Sequence, residues 1–253
     1  MNLKATTSVD VSLPLEKIAP VSDFSRLFAL IYGPPKIGKS TLASTFPGAL
    51  FVATEEGLRF LNVYKVSCPN WLTFREVMKQ LKGEEAKQRY KTIVIDTVDL
   101  LYRWCEEFVC DVKGLAHPSD EDWGKGWAFV RDEFQTGCKY LTSEGYGVVF
   151  ISHHREVETK IRGVKVVKTV PSFSNTARKI ILPLVDFVFY LAPDVDAQEQ
   201  EGARMIYSQN AVEYEAGSRQ KYFPHVIDEV HYTALADALS MARAQELAEE
   251  ASD

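Results

Sequence analysis

No stretch of this 253-residue chain approaches the about 18 consecutive apolar residues that a membrane-spanning helix needs. The amino-terminal residues have no basic segment followed by an apolar core, so no secretory signal is expected. Cysteine is scarce: Cys68, Cys105, Cys110 and Cys138 are scattered without metal-type pairing and read as reduced thiols. Positive charge is in deficit, with a formal net charge of −6 and a pI near 5.5, which excludes a generally basic nucleic-acid coat. No internal repeat or long low-complexity tract stands out. What remains is an ordinary globular composition, 46% hydrophobic and 25% charged, which predicts one large α/β domain with appendages.

The chain is organised around LFALIYGPPKIGKSTLASTF, Leu27 to Phe46. An apolar β-type run enters a Gly/Pro loop, and a helix-prone segment leaves it. The loop contains Gly33, Pro34, Pro35, Lys36, Ile37, Gly38, Lys39 and Ser40, followed by Thr41, the phosphate-binding pattern G-x-x-x-x-G-K-[ST]. Glycines let backbone N–H groups curl around phosphate oxygens, and the new helix points its partial positive end at the same anion. Lys39 is placed to reach the β- and γ-phosphates, and the Ser40 hydroxyl to bind Mg²⁺. A nucleoside triphosphate is the expected ligand. The GTPase specificity motif Asn-Lys-x-Asp is absent.

Three further strand ends carry polar groups. YKTIVID closes on Asp96, whose carboxylate would hold Mg²⁺ opposite Ser40. ALFVA leads into Thr54-Glu55-Glu56, where Glu55 either orients the attacking water or caps a helix, with Glu56 in support. GVVFI leads into Ser152-His153-His154, at the strand end where open α/β sheets bind ligands. A metal at His153-His154 is disfavoured, because adjacent strand residues point to opposite faces.

Charge is unevenly spread. Between His153 and Lys179 lie Arg155, Lys160, Arg162, Lys165, Lys168, Arg178 and Lys179 against Glu156 and Glu158, a local net charge of +5. Residues 155–170 alternate around Gly163 and predict a β-hairpin with an exposed face. Val9, Val11, Leu13 and Leu15 alternate with polar residues or Pro14, as an edge strand either on the chain's own sheet or added to a neighbouring subunit. Further strands are expected at residues 62–67, 184–191, 204–208 and 212–215, and helices at 73–82, 97–111, 127–141 and 232–253. Residues 83–89 read as a charged loop, and 112–125 as a loop or insertion. Trp123 and Trp127 fit either core packing, for at least one of them, or stacking on bases.

The order Gly33 to Ser40, FVATEE (Phe51 to Glu56), TIVIDT (Thr92 to Thr97) and VVFISH (Val148 to His153) resembles the RecA-type ATPase core. The wording of YGPPKIGKSTLA and TEEGL is most similar to phage-encoded RecA-like proteins of recombination and single-strand annealing. That resemblance covers roughly residues 27–224. It implies a mainly parallel α/β sheet flanked by helices, with antiparallel strands added at its carboxyl-terminal end. It further implies Mg²⁺-dependent ATP hydrolysis, with Glu55 as the base and His153 coupling the γ-phosphate to a DNA-binding loop. That loop would be the basic stretch carrying Arg155, Lys160, Arg162, Lys165 and Lys168. Ala216-Gly217-Ser218-Arg219 is similar to a segment that supplies an arginine finger across a subunit interface. Gly217 replaces the usual lysine there, so only Arg219 carries over, with Lys221 as a substitute for that lysine, and a solvated turn arginine is its alternative.

The implied partners are single-stranded DNA, further copies of the chain in a ring or filament, and a single-strand-binding or replication protein. No membrane is implied, and the expected location is cytoplasmic, the host cytoplasm for a phage protein. The expected division is an arm (residues 1–22), a RecA-like ATPase domain (23–231) and a closing helix with an acidic end (232–253). The alternatives are a KaiC-like ATPase switch acting on a protein partner, and a small-molecule kinase, for which no Arg-rich lid is evident.

Overall fold

The computed structural model describes residues 12–161, 163–194 and 203–252. A 3₁₀ turn at Phe24–Arg26 precedes β1 (Phe28–Tyr32), α1 (Lys39–Ser44), β2 (Ala49–Ala53), β3 (Tyr64–Ser67), α2 (Trp71–Gln80) and α3 (Glu84–Arg89). β4 (Thr92–Asp96), α4 (Val98–Lys113), α5 (Lys125–Ser143) and β5 (Gly147–Ser152) follow. The chain continues through β6 (His154–Ile161), β7 (Val164–Pro171), α6 (Asn175–Leu184), β8 (Phe187–Pro193) and β9 (Arg204–Tyr207). It ends with β10 (Gly217–Ser218), β11 (Val226–Ile227) and α7 (Tyr232–Glu250).

Nine of these strands form one sheet in the order β11-β9-β8-β1-β5-β4-β2-β3, with β10 paired to β8. The run from β8 to β3 is parallel, and β9, β10 and β11 attach antiparallel. This is the architecture expected of the RecA-like core. Burial explains the wording of the central strands. Both faces are covered, so they read as continuous apolar runs rather than alternating ones. Leu30, Ile93, Ile95, Val148 and Phe150 pack under α2, α4, α5 and α6. Ile31, Phe51, Val94, Val149 and Ile151 pack under α1 and α7.

Several local expectations are revised. Residues 84–89 are helical: Glu84 and Glu85 occupy the first turn and Lys87 and Arg89 the last, complementing the helix dipole. α6 is additional to the expected elements. Ser174 caps it by accepting from the Ala177 N–H, and its apolar face packs into the core. Residues 212–215 form no strand, although Tyr214 bridges to Thr169. Val9 and Val11 lie outside the described residues, while Leu13 and Leu15 are exposed and belong to no strand, so the described part of the arm adds nothing to its own sheet. α7 buries Leu235 and Leu239 against the α1 face and so completes the core.

The predicted hairpin is present as β6 and β7, but it forms a sheet of its own rather than joining the large one. Its turn has Gly163 at φ +85°, a left-handed conformation that glycine adopts without steric cost.

Candidate functional site

Parallel pairing brings four loops to one edge of the sheet. Ala53, Asp96, Ile151 and Ile31 form one row across β2, β4, β5 and β1. Two residues beyond that row stand Glu55, His153 and Gly33. Strand alternation then sets which way each side chain faces. Asp96 follows Val94 onto the α1 face, and its Oδ2 accepts from the Ser40 hydroxyl at 2.7 Å. Ser152 falls on the opposite face, where its hydroxyl donates to Asp99 Oδ1 at 3.2 Å, in the first turn of α4.

The phosphate loop packs closely against β8. A Cβ on Gly33 would fall 2.1 Å from the Leu191 carbonyl oxygen, so only glycine fits. Gly38 is the N-cap of α1 at φ +104°, and Lys36 also has a positive φ, +64°. A left-handed lysine is uncommon, and such conformations cluster at functional sites. Lys39 is only 7% exposed and arches back over the loop, its Nζ donating to the Gly33 and Pro34 carbonyls at 2.9 Å each. Burial pushes its pKa down, opposed by the carboxylates of Asp96, Asp99 and Glu55. Asp96, also 7% exposed, is pushed upward by burial. The Ser40 hydrogen bond and Lys39 oppose that shift, and Glu55 reinforces it.

Glu55 Oε1 accepts from the Thr97 hydroxyl at 2.8 Å and lies 3.3 Å from His153 Nε2. Thr54 and Thr97 pair reciprocally, Thr97 N–H donating to Thr54 Oγ1 at 2.7 Å and that hydroxyl donating to the Thr97 carbonyl at 3.0 Å. These bonds tie the end of β2 to the end of β4 and hold Glu55 at the edge of the site. Glu56 turns to solvent and pairs with Arg59 at 2.9 Å, so it does not support Glu55.

Asp99, Thr97 and Ser172 escaped the sequence reading. Asp99 Oδ1 accepts from both Ser152 and Ser172, and the Ser172 N–H donates to the His153 carbonyl at 3.0 Å. The base of the hairpin is therefore fastened to the end of β5. A signal for Asp99 was available, since an acid three residues after Asp96 falls in the first turn of the helix that follows. Nothing local marked Ser172.

The basic stretch is placed differently from a single track. Directly opposed residues share a face, so Lys160 and Lys165 sit together near the turn while Arg155 and Lys168 lie on the other face. Lys165 is 3.5 Å from Glu158, Arg155 bonds Asn175 and Lys168 bonds Asn210. Arg162 lies outside the described residues. Arg178 is taken up by an ion pair with Glu215. Trp123 is 97% exposed with a left-handed backbone, and Trp127 is partly exposed against His117, so neither packs in the core.

Arg219 is at the other edge of the sheet from its own phosphate loop. It pairs with Asp186 at 3.2 Å and bonds the Pro183 carbonyl, beside the amino end of β8. The structure does not bring it to the site of its own chain. All four cysteines are buried free thiols. Among the described residues no cluster of three or more His, Cys, Asp or Glu side chains could hold a metal, and no helix is long and apolar enough to cross a membrane. The Ser40–Asp96 oxygen pair still suits Mg²⁺, a hard ion that takes one or two protein oxygens and completes its shell with water and phosphate.

A phosphate loop on a parallel sheet, with acids at the neighbouring strand ends, defines a P-loop protein of the ATPase class. The chain belongs to the AAA domain family, whose model matches residues 25–220. It is 27% identical over 207 residues to the SPbeta prophage-derived uncharacterized protein YorG of Bacillus subtilis (strain 168). That match covers 79% of this chain and 61% of the relative's length. The crystal structure of the RadB recombinase aligns with a TM-score of 0.44 and 15% identity, over 72% of this chain and 80% of that one, too distant to bear on function.

Proposed function

We propose that the protein hydrolyses ATP and uses the cycle to change its grip on single-stranded DNA, in phage recombination, annealing or replication. One observation carries this reading: Glu55 faces His153, and His153 leads directly into the hairpin that bears Lys160 and Lys165. In the proposed cycle Glu55 orients the attacking water and accepts its proton. Lys39 leaves the Gly33 and Pro34 carbonyls to balance charge on the transferring phosphoryl group. Ser40 and Asp96 would hold Mg²⁺, whose charge would neutralise the phosphate oxygens. His153 exchanges its contact with Glu55 for the γ-phosphate, and the fastening at Ser172 and Asp99 passes the change to the hairpin. Arg219 completes the site of a neighbouring copy, which makes turnover depend on assembly into a ring or filament.

Like charges directly opposed on a hairpin destabilise it, and an anion at the tip relieves the repulsion between Lys160 and Lys165. For single strands each neutralised phosphate contributes about −0.7 to the slope of log affinity against log salt. Replacing Lys160 and Lys165 by Ala should therefore reduce the slope by roughly 1.4 and weaken DNA binding, with basal ATP turnover retained. Turnover unstimulated by single-stranded DNA, together with no salt-sensitive binding, would sink the reading. The spread of cations over both hairpin faces, with Lys165 near Glu158, favours a second reading in which the hairpin contacts a protein partner. In that case the double substitution leaves any DNA binding unaltered.

A further inference from the structure

Arg204 opens β9 opposite Pro193 of β8, and its Nη1 donates to the Ile37 carbonyl at 3.0 Å. The contact spans 167 residues of sequence. The guanidinium lies directly on Gly38: a Cβ there would fall 2.2 Å from Nη1. Gly38 is required for its left-handed backbone, and the guanidinium, the end of a flexible side chain, occupies the space beside it. The β8–β9 pair grips the phosphate loop at both ends, with the Leu191 backbone on Gly33 and Arg204 on Ile37 and Gly38.

The Ile37 carbonyl and the Gly38 N–H belong to one peptide plane. That peptide is trans, so the two groups point in opposite directions. A donor holding the carbonyl toward β9 turns the N–H away from β9, into the loop where a phosphate is received. Glycine on one side of the bond makes rotation of this plane easy, and a flipped plane would present a carbonyl oxygen to the anion.

We infer that Arg204 is a positioning residue that latches the Ile37–Gly38 peptide, so that the Gly38 N–H is held ready for the phosphate chain of a bound nucleotide. The inference rests on the nucleotide-binding reading. It adds that the antiparallel extension of the sheet, and not the loop alone, sets affinity. The latch acts on phosphates common to ATP and ADP, so both nucleotides should feel its loss equally.

The experiment is titration of the full chain with MgATP and MgADP, alongside thermal melting without nucleotide and steady-state ATP turnover. Arg204→Met keeps the aliphatic stem and removes the donor, and Arg204→Leu serves if that variant does not fold. Affinity for both nucleotides should fall by the same factor, roughly 10- to 100-fold, as for one hydrogen bond to a charged group. KM should rise accordingly while kcat stays within about threefold of the parent. Arg204→Lys keeps one donor and should recover at least half of the loss on a logarithmic scale. Unchanged affinity, even with a lowered melting temperature, would make Arg204 a structural strut and overturn the inference. A loss confined to ATP would make it a γ-phosphate sensor and overturn the latch, as would lysine recovering nothing. A parent chain that binds neither nucleotide overturns the site reading itself, and the latch with it.

Discussion

Replacing Glu55 by Gln tests the proposed chemistry with the least disturbance. Glu55 Oε1 accepts from Thr97 Oγ1 at 2.8 Å and faces His153 Nε2 at 3.3 Å. A glutamine side chain has the same length and keeps an oxygen for both contacts, losing only the charge and the ability to take a proton. Stability should stay within about 0.5 kcal/mol of the parent, as for partly exposed positions whose contacts survive. Nucleotide affinity should be retained, because the phosphate loop, Ser40 and Asp96 are untouched. The rate should fall by about 10²–10⁴, the usual worth of a positioned general base, or roughly 2.7–5.4 kcal/mol of transition-state stabilisation. The assay is phosphate release with saturating MgATP and single-stranded DNA, together with nucleotide titration and a melting curve. A kcat within about threefold of the parent would refute the assignment of Glu55. Loss of kcat with an equal loss of affinity would give it a role in ground-state binding instead.

Arg219→Ala should leave nucleotide binding intact and lower turnover by about 10³ or more at protein concentrations that favour assembly, the range measured for arginine fingers. The arginine of its pair with Asp186 is exposed and Asp186 keeps the Phe28 N–H as a partner, so the melting temperature should move little. Equal turnover in parent and variant would leave Arg219 a surface arginine. Tyr32→Phe removes a hydroxyl that donates to the Glu215 carbonyl at 2.6 Å and accepts from the Glu215 N–H at 3.1 Å. The Glu215 N–H keeps the Thr169 carbonyl at 3.0 Å, so unfolding in denaturant should report a loss of about 1–3 kcal/mol for the Glu215 carbonyl alone. The Asp99 carboxyl is pushed upward by burial, with Ser172 and Ser152 opposing. Its folded pKa therefore exceeds its unfolded value, and the native state binds the proton more tightly. The parent should lose stability relative to Asp99→Asn as pH rises from the ordinary carboxylate range through the raised value. Melts at pH 4–8 that show the difference constant or shrinking with pH would contradict this.

Much of the site was legible because it depends on local chain chemistry. Gly33 to Ser40 declares itself through spacing, since a close backbone turn needs glycine and a phosphate needs Lys39. The ends at Ala53, Asp96 and Ser152 are visible because strands buried on both faces are apolar until they reach solvent. Helix α3 reads as a loop because five of its six residues are charged or polar and Ala86 alone makes no apolar stripe, and its order comes from end charges that match the dipole. Residues 212–215 form only the bridge from Tyr214 to Thr169, and Leu13 and Leu15 of the arm join no strand of the chain's own sheet.

Sequence alone determined the phosphate loop, the acids that close two central strands, the basic hairpin and the α/β class. These follow from side-chain type and spacing within a few residues. Only the tertiary structure decided that Glu55 meets Thr97 and His153, that Asp99 and Ser172 fasten the hairpin, that its cations divide between two faces, and that Arg204 rests on Gly38. Apart from the hairpin's own register, each of these joins segments tens to more than a hundred residues apart. Strand register and pleat bring such groups together, and neither is written in any single stretch of the chain.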